Sequence, residues 1–393
     1  MRYTPKSELD QRVSKLQKSL KDQDIDGVIV IQNADLYYFS GTIQQSHLFI
    51  PVEGKPLLLV KNTYERALEE SALENIIYLD SLKELLPVLK SHGYSDFNKI
   101  GFELDILPAN LYFRYQELFK QVQIVDASQL IREVRMVKSP YELEILQEVN
   151  NVLLKLFPYI KENLREGMTE LKLSALVDGY LRELGHPGLM RVRGFNTDLH
   201  QNHIVSGSNT ISSYFWGSIG GLGVSPAFAQ GSSTRVIQRN EPILTDLGFN
   251  QSGYSLDMTR IFCIGQLPEH LAKAYQVAVD ITESIKKIAK PGLPCGELHK
   301  LAKEIAQASP YINNFLGLPN HHLTFCGHGI GLEQDELPVI GEKFTTPLEP
   351  GMIFAFEPKF TFLDGAVGLE NTFLVTESGL ENLTTYDEGV LYI

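Results

Sequence analysis

The sequence predicts an α/β protein of two domains, and three observations carry that expectation. Short strand-like apolar runs alternate with helical patterns from Gly27 to Val125. A helix-start signal, Ser139-Pro140-Tyr141-Glu142, then opens a new segment. Beyond it, two stretches read as β-hairpins that each carry a pair of carboxylates. The chain has 393 residues, 43% of them hydrophobic, which is enough for more than one core.

In chain order, residues 7–23 place Leu9, Val13, Leu16 and Leu20 at helical spacing. Residues 27–32 (GVIVIQ) read as a buried strand and 57–60 as another. Helices are expected near 63–74 and 81–92, a strand at 99–103, a helix at 108–120 and a strand at 123–125. The boundary falls near 131–140, giving domains 1–134 and 135–393. Ser139 is a helix cap, Pro140 suits the first helical position, and Glu142 stands three after the cap. The long helix that follows carries Leu143, Leu146, Val149, Leu153 and Leu156. Thr169 caps a second helix running to Leu184, ended by glycines at 185 and 188. Residues 191–231 are glycine-rich, with strand-like pieces at 202–206 and 211–216. Gly217, Gly220, Gly221 and Gly223 make no phosphate loop, because no Lys-Ser/Thr follows at the required spacing. Helices at 271–290 and 296–308 flank Pro291-Gly292-Leu293-Pro294.

A net charge of −13 and a pI near 5.3 disfavour nonspecific binding to nucleic acid or to an anionic membrane. Cys263, Cys295 and Cys326 are odd in number and lack zinc-like spacing, so reduced thiols are expected. The polar N-terminal stretch resembles no signal peptide, and no run approaches the roughly 20 apolar residues of a membrane span. A cytoplasmic protein is the expectation.

The chemistry concentrates in 245–260, TDLGFNQSGYSLDMTR. Strand-forming residues at 243–249 and 254–264 flank the turn residues Asn250, Gln251, Ser252 and Gly253. Folded about Gln251-Ser252, the hairpin sets Asp246 opposite Asp257, with Cβ atoms about 5 Å apart. The two would repel unless a cation lay between them. Glu357 in FAFEPKF and Glu370 in VGLENTF repeat the pattern around Leu363-Asp364-Gly365. A turn on Leu363-Asp364 opposes them, and a turn one residue later slips the pairing by two but keeps one face. Between the hairpins, His328 lies among glycines that permit close backbone approach.

Singly, each acid reads as a surface residue. Together, flanked by Leu, Phe, Ile and Val, they would be costly to bury unpaired. Four carboxylates and an imidazole suit two divalent ions, with Mn²⁺ first and Co²⁺, Fe²⁺ or Zn²⁺ as alternatives. Two such ions acidify a shared water and polarise a carbonyl, which is hydrolytic chemistry.

The order DLG, DMTR, GHGIG, EP and a last Glu resembles the pita-bread metallohydrolases, which include methionine aminopeptidase, aminopeptidase P, prolidase and creatinase. The five-part pattern is far more specific than a lone GHG or EP. The resemblance covers nearly the whole chain and implies a creatinase-type N-terminal α/β domain ahead of a pita-bread catalytic domain. It implies that Asp246 chelates one metal, that Asp257 and Glu370 bridge, and that His328 and Glu357 ligate the other. Glu357 would also carry the nucleophile's proton to the leaving nitrogen. The reaction implied is hydrolysis of a C–N bond, typically an Xaa-Pro bond in a small peptide, by a homodimer.

Departures from the pattern accompany it. In GHGIGLEQDELP, Asp335 stands where the peptidases have His and so enters the catalytic pocket. No His occupies 225–228, where a second is expected, and Gly368 replaces an Arg two before the last ligand. His200, His203, His321 and His322 are candidate replacements, against a reading as solvated loop residues. Arg191, Arg193 and Lys359 are candidates for a substrate carboxylate, against a reading as surface charge. Phe215 and Trp216 either line the pocket or belong to the core. One alternative function is a non-peptidase amidohydrolase of the creatinase kind. Another is an inactive binding protein like the histone-chaperone relatives, which retention of all five ligands argues against.

Overall fold

The computed structural model describes residues 1–200, 202–211, 217–319 and 321–393. It divides into two compact units, Met1–Arg135 with Arg193–Thr197, and Met136–Val192 with Asp198–Ile393. The division falls inside one helix, Ser128–Met136. The α/β expectation holds in both units.

In the first unit, β1 (Gly27–Val30), β2 (Ser46–Pro51), β3 (Leu57–Val60), β4 (Ile76–Tyr78), β5 (Lys99–Phe102) and β6 (Gln123–Asp126) form one mixed sheet. Its order is β4-β3-β2-β1-β5-β6. The strands β2 and β4 are absent from the sequence reading. In β2 the continuous Leu48-Phe49-Ile50 gives no alternation to read, and β4 is a three-residue edge strand. The helix Lys6–Asp22 buries Leu9, Val13, Leu16 and Leu20, as its spacing predicts. The expected helix over 81–92 is a 3₁₀ turn, Leu82–Glu84, followed by a helix Leu85–Ser91, whose first turn accommodates the N–H-free Pro87.

The segment NADLYYFS is a helix, Asn33–Ser40, capped by the Gln32 side chain and ended by Gly41 at φ 79°. It carries Asp35 into a buried cluster. Arg135 donates to Asp35 Oδ1 and Arg193 to Oδ2, at 2.5 and 2.7 Å. Burial alone would raise the Asp35 pKa, but the two guanidiniums outweigh it and hold the carboxyl at about 2. Burial and the Asp35 charge push Glu103 well above the usual range. Arg193 also pairs with Asp105, so its side chain is committed within this unit. The expectation that Arg193 binds a substrate carboxylate is therefore not met.

In the second unit the capping box forms: Ser139 Oγ accepts from Glu142 N, and Glu142 Oε2 accepts from Ser139 N. The single long helix expected after it is two, Pro140–Leu153 and Leu156–Asn163. Thr169 caps Glu170–Glu183 by accepting from Lys172 N. Strands β7 (Asn202–Ser206), β8 (Ile243–Gln251) and β9 (Tyr254–Cys263) lie in one sheet with the C-terminal β17 (Leu391–Tyr392), in the order β17-β9-β8-β7. A five-stranded sheet contains β10 (Phe325–Gly329), β11 (Glu336–Gly341), β12 (Ile353–Phe356), β15 (Asn371–Thr376) and β16 (Gly379–Asn382), ordered β11-β10-β12-β15-β16. Between β12 and β15 the chain makes the short hairpin β13 (Lys359–Phe362) and β14 (Gly365–Gly368).

The helices Glu269–Ile288 and Cys295–Gln307 contribute Leu271, Ala278, Ile285 and Leu298 to a core shared with Phe354, Phe356 and Phe373. Fully burying one such side chain is worth about 1.5–3 kcal/mol. The three cysteines are buried free thiols. The strand expected at 211–216 lies almost wholly outside the described residues, as do Phe215 and Trp216; Gly207–Ile211 is a 3₁₀ helix. Among the described residues no helix is long and apolar enough to cross a membrane.

Candidate metal centre

Strands β8 and β9 meet in a two-residue turn, Ser252-Gly253, at φ 53° and 89°. Left-handed backbone at both central positions is what a right-twisted hairpin requires, and Gly253 adopts it without a Cβ penalty. The turn therefore sits one residue later than the sequence reading placed it. Asp246 opposes Thr259, and Asp257 opposes Gly248. The expected Asp246/Asp257 opposition is thus corrected to a diagonal neighbour on the same face, where the two carboxylates still act on each other's charge. On the other side of β8, His203 opposes Asp246, so it sits on the carboxylate's face of the sheet and not in a solvated loop.

The second pair follows the Leu363-Asp364 turn. Phe356 pairs with Asn371 and Lys359 with Gly368, and one continuous register sets Glu357 against Glu370. In β10, next to β12, His328 pairs with Ala355. Its Nε2 lies 3.7 Å from Glu357 Oε1 and 3.9 Å from Glu370 Oε1. Asp257, His328 and Glu370 are all buried and bring one ligand atom each within 4.8 Å of one another.

Neighbouring groups aim these side chains. Thr259 Oγ1 donates to Glu370 Oε2 at 2.7 Å, and Thr372 Oγ1 to Asp257 O at 2.9 Å. Gln334 Nε2 donates to Asp257 Oδ2. The buried Arg260 donates to Glu370 O, Thr259 O and Asn371 Oδ1 at 2.8–2.9 Å. Arg260 closes the DMTR motif and Gln334 lies within GHGIGLEQDELP, yet neither has a role in the sequence reading; their place in those motifs was the available signal.

Lys359 supplies the positive charge. Its Nζ donates to Glu357 Oε2 at 2.7 Å, Asp246 Oδ2 at 3.0 Å and Glu370 Oε2 at 3.2 Å, and the side chain is 3% exposed. The surface-charge reading of Lys359 is overturned. Burial pushes the Asp246 carboxyl up, but the Lys359 and His203 charges, with the contacts to Asp257 and Lys359, together outweigh it and hold it low. Asp257 is raised well above the usual range, first by burial and then by the Glu370 and Asp246 charges. Glu370 rises to about 7, chiefly through burial. Burial lowers the His328 pKa, yet Asp335, Glu357 and Glu370 together raise it above its ordinary value.

Asp335, at φ 60°, is about half exposed, with Oδ1 3.5 Å from His328 Nδ1. Glu357 is partly exposed, whereas Glu370 is closed off. His200, His321 and His322 are exposed, and the His322 ring nitrogen meets Phe315 O. The Arg191 carbonyl accepts from Gln334 N.

The donor set fits a divalent ion at Asp257, His328 and Glu370. Glu370 Oε1 is buried without a hydrogen-bond partner among the described residues, and the imidazole and two carboxylates are ordinary ligands for such an ion.

A sequence model of metallopeptidase family M24 matches residues 144–377, and one of the creatinase/prolidase N-terminal domain matches 12–137. The chain belongs to metallopeptidase family M24. It is 27% identical over 386 residues to an Xaa-Pro dipeptidase of Pyrococcus furiosus, covering 98% of this chain and 100% of that one. A crystal structure of an X-Pro aminopeptidase from Thermotoga maritima superposes with a TM-score of 0.80 at 23% identity, covering 97% and 99% of the two chains. An Xaa-Pro dipeptidase structure from Bacillus anthracis gives 0.83 at 22%, covering 98% and 100%. The fold is accordingly the pita-bread fold behind a creatinase-type domain, and the M24 chain is a peptidase-class enzyme of a family that works with divalent metal ions.

Proposed function

We propose that this M24 enzyme is a metal-dependent hydrolase of small peptides, cleaving the bond before proline. The observation that carries the reading is the buried group of Asp257, His328 and Glu370. The Xaa-Pro dipeptidases among its relatives support the substrate class. An ion held by those three residues supplies Lewis acidity toward the scissile carbonyl. Gln334 and Thr259 keep Asp257 and Glu370 in place for it. Glu357 is the more open of the two acids facing His328 Nε2, and is assigned the proton transfer from attacking water to leaving nitrogen.

Asp335 sets the substrate preference. An ionised carboxylate accepts but cannot donate, so it repels a substrate carboxylate or oxyanion and attracts an ammonium. Plain Xaa-Pro dipeptides are therefore poor substrates, and those carrying a cationic group are better ones. We propose manganese as the ion, because oxygen donors outnumber the single imidazole. The two-ion count expected from the sequence meets the Lys359 ammonium among the same oxygens. A cytoplasmic homodimer, with domains 1–134 and 135–393, is proposed on the family likeness.

A second reading, amide hydrolysis of a small non-peptide nitrogen compound, is favoured by Asp335 and Gly368, which remove donors for a peptide carbonyl and carboxylate. Product analysis by mass spectrometry on Ala-Pro, Lys-Pro, Arg-Pro and a set of small amides, with Mn²⁺ supplied, separates the two. The peptidase reading expects Lys-Pro and Arg-Pro to exceed Ala-Pro, with Ala-Pro below about 10⁵ M⁻¹s⁻¹ in kcat/KM. Asp335→His should restore little, because Gly368 leaves a second substrate contact absent. Release from amides alone favours the second reading, and no release from any compound defeats both.

A further inference from the structure

We propose that the Lys359 ammonium is the second cation of this centre, so that the chain takes up one divalent ion where its acids would otherwise hold two. This rests on the metal-centre reading above.

An ammonium has three protons to donate, and Lys359 Nζ faces three carboxylate oxygens at 2.7, 3.0 and 3.2 Å. Those oxygens belong to Asp246, Glu357 and Glu370, which the sequence pattern offers as metal ligands. A divalent ion bound at about 2.0–2.2 Å to the same oxygens would press against a like charge and compete for the same lone pairs. The two cannot share the place. Asp257 and His328, by contrast, accept no hydrogen bond from Lys359 among the described residues, and Glu370 Oε1 is unpartnered. Glu370 therefore presents one oxygen to the ammonium and keeps the other for an ion. Three ligands stay available together, the number a catalytic site commonly uses while leaving a position open.

The backbone makes room for this arrangement. Lys359 opens β13 directly opposite Gly368 in β14. A Cβ at 368 would lie 2.7 Å from both Cα and Cγ of Lys359 and 2.5 Å from Pro358 O. Any side chain there would displace the lysine stem, so the glycine and the lysine go together.

The test is metal content and magnetic coupling rather than turnover. Wild-type protein, Lys359→Gly and Lys359→Met are dialysed with excess Mn²⁺, freed of loose metal and analysed by mass spectrometry and electron paramagnetic resonance. Wild type should hold close to one Mn²⁺ per chain with an isolated-ion spectrum. The variants should approach two, a doubling, with the spectrum of an exchange-coupled pair. Lys359→Met keeps the aliphatic stem and decides the matter if Lys359→Gly does not fold. Two ions in wild type overturn the proposal but leave the metal centre standing. Variants that stay at one ion also overturn it, since the ammonium is then not what excludes the second. Wild type that holds none defeats both the proposal and the reading beneath it.

Discussion

Arg260→Met should unfold the catalytic unit's metal hairpin more readily than any surface change, although Arg260 touches no ligand carboxylate. Its guanidinium is fully buried and donates to Thr259 O, Glu370 O and Asn371 Oδ1 at 2.8–2.9 Å, to Asp387 O at 2.8 Å and to Tyr386 O at 3.4 Å. Every acceptor is neutral, and burial lowers the guanidinium pKa below its ordinary value, against the smaller raising effect of Tyr275, Glu388, Asp387 and Glu370. Removing the donor leaves up to five acceptors unpaired at about 1–3 kcal/mol each, while relieving the cost of burying the charge. The two effects oppose, and the net loss should be about 2–4 kcal/mol. Urea denaturation of the metal-free protein, at unchanged m-value, reads that loss as a lower midpoint. Arg260→Lys keeps the charge with fewer donors and should recover part of it. Manganese affinity should also fall in Arg260→Met, because the Glu370 backbone loses its anchor. A loss below about 1 kcal/mol with unchanged affinity would refute the reasoning, by showing that the loop carbonyls find other donors at no cost.

Three other perturbations test separate parts of the structure. Glu357→Gln should lower turnover about 10²- to 10⁴-fold with a much smaller change in stability, measured by kcat on the best substrate of the panel. Ser139→Ala breaks the capping box and should cost about 1 kcal/mol by denaturant titration. His47, whose Nε2 meets Tyr115 Oη at 2.7 Å, is pushed down to about 4, first by burial and then by the Lys61 charge. Since its folded pKa lies below the ordinary 6.5, the unfolded chain takes up the proton first as pH falls. Its contribution is complete above about pH 6.5 and is lost down to about pH 4, at most about 3.5 kcal/mol at about 1.4 kcal/mol per pH unit. His47→Gln should flatten that part of the stability–pH curve.

The acids of the centre were legible because each sits in a strand pattern and in a motif, and the Leu363-Asp364 turn set Glu357 against Glu370 as the spacing allowed. The first hairpin was read one residue out because Ser252 adopts left-handed backbone, which a serine gives no local reason to expect. Lys359 was misread because a lysine beside a proline looks like surface. The pattern held a clue: two residues after Glu357 in a strand is the same face, and a glycine faces it across the hairpin. Gln334 was invisible for a different reason, since its partner Asp257 is 77 residues away and only the folded chain brings them together.

The central claim is that Asp257, His328 and Glu370 hold a divalent ion. Anomalous diffraction from crystals saturated with Mn²⁺ tests it most directly. The account predicts a peak about 2.0–2.3 Å from one atom of each of the three side chains. Saturated crystals with no peak there, or with metal bound only elsewhere, would contradict it.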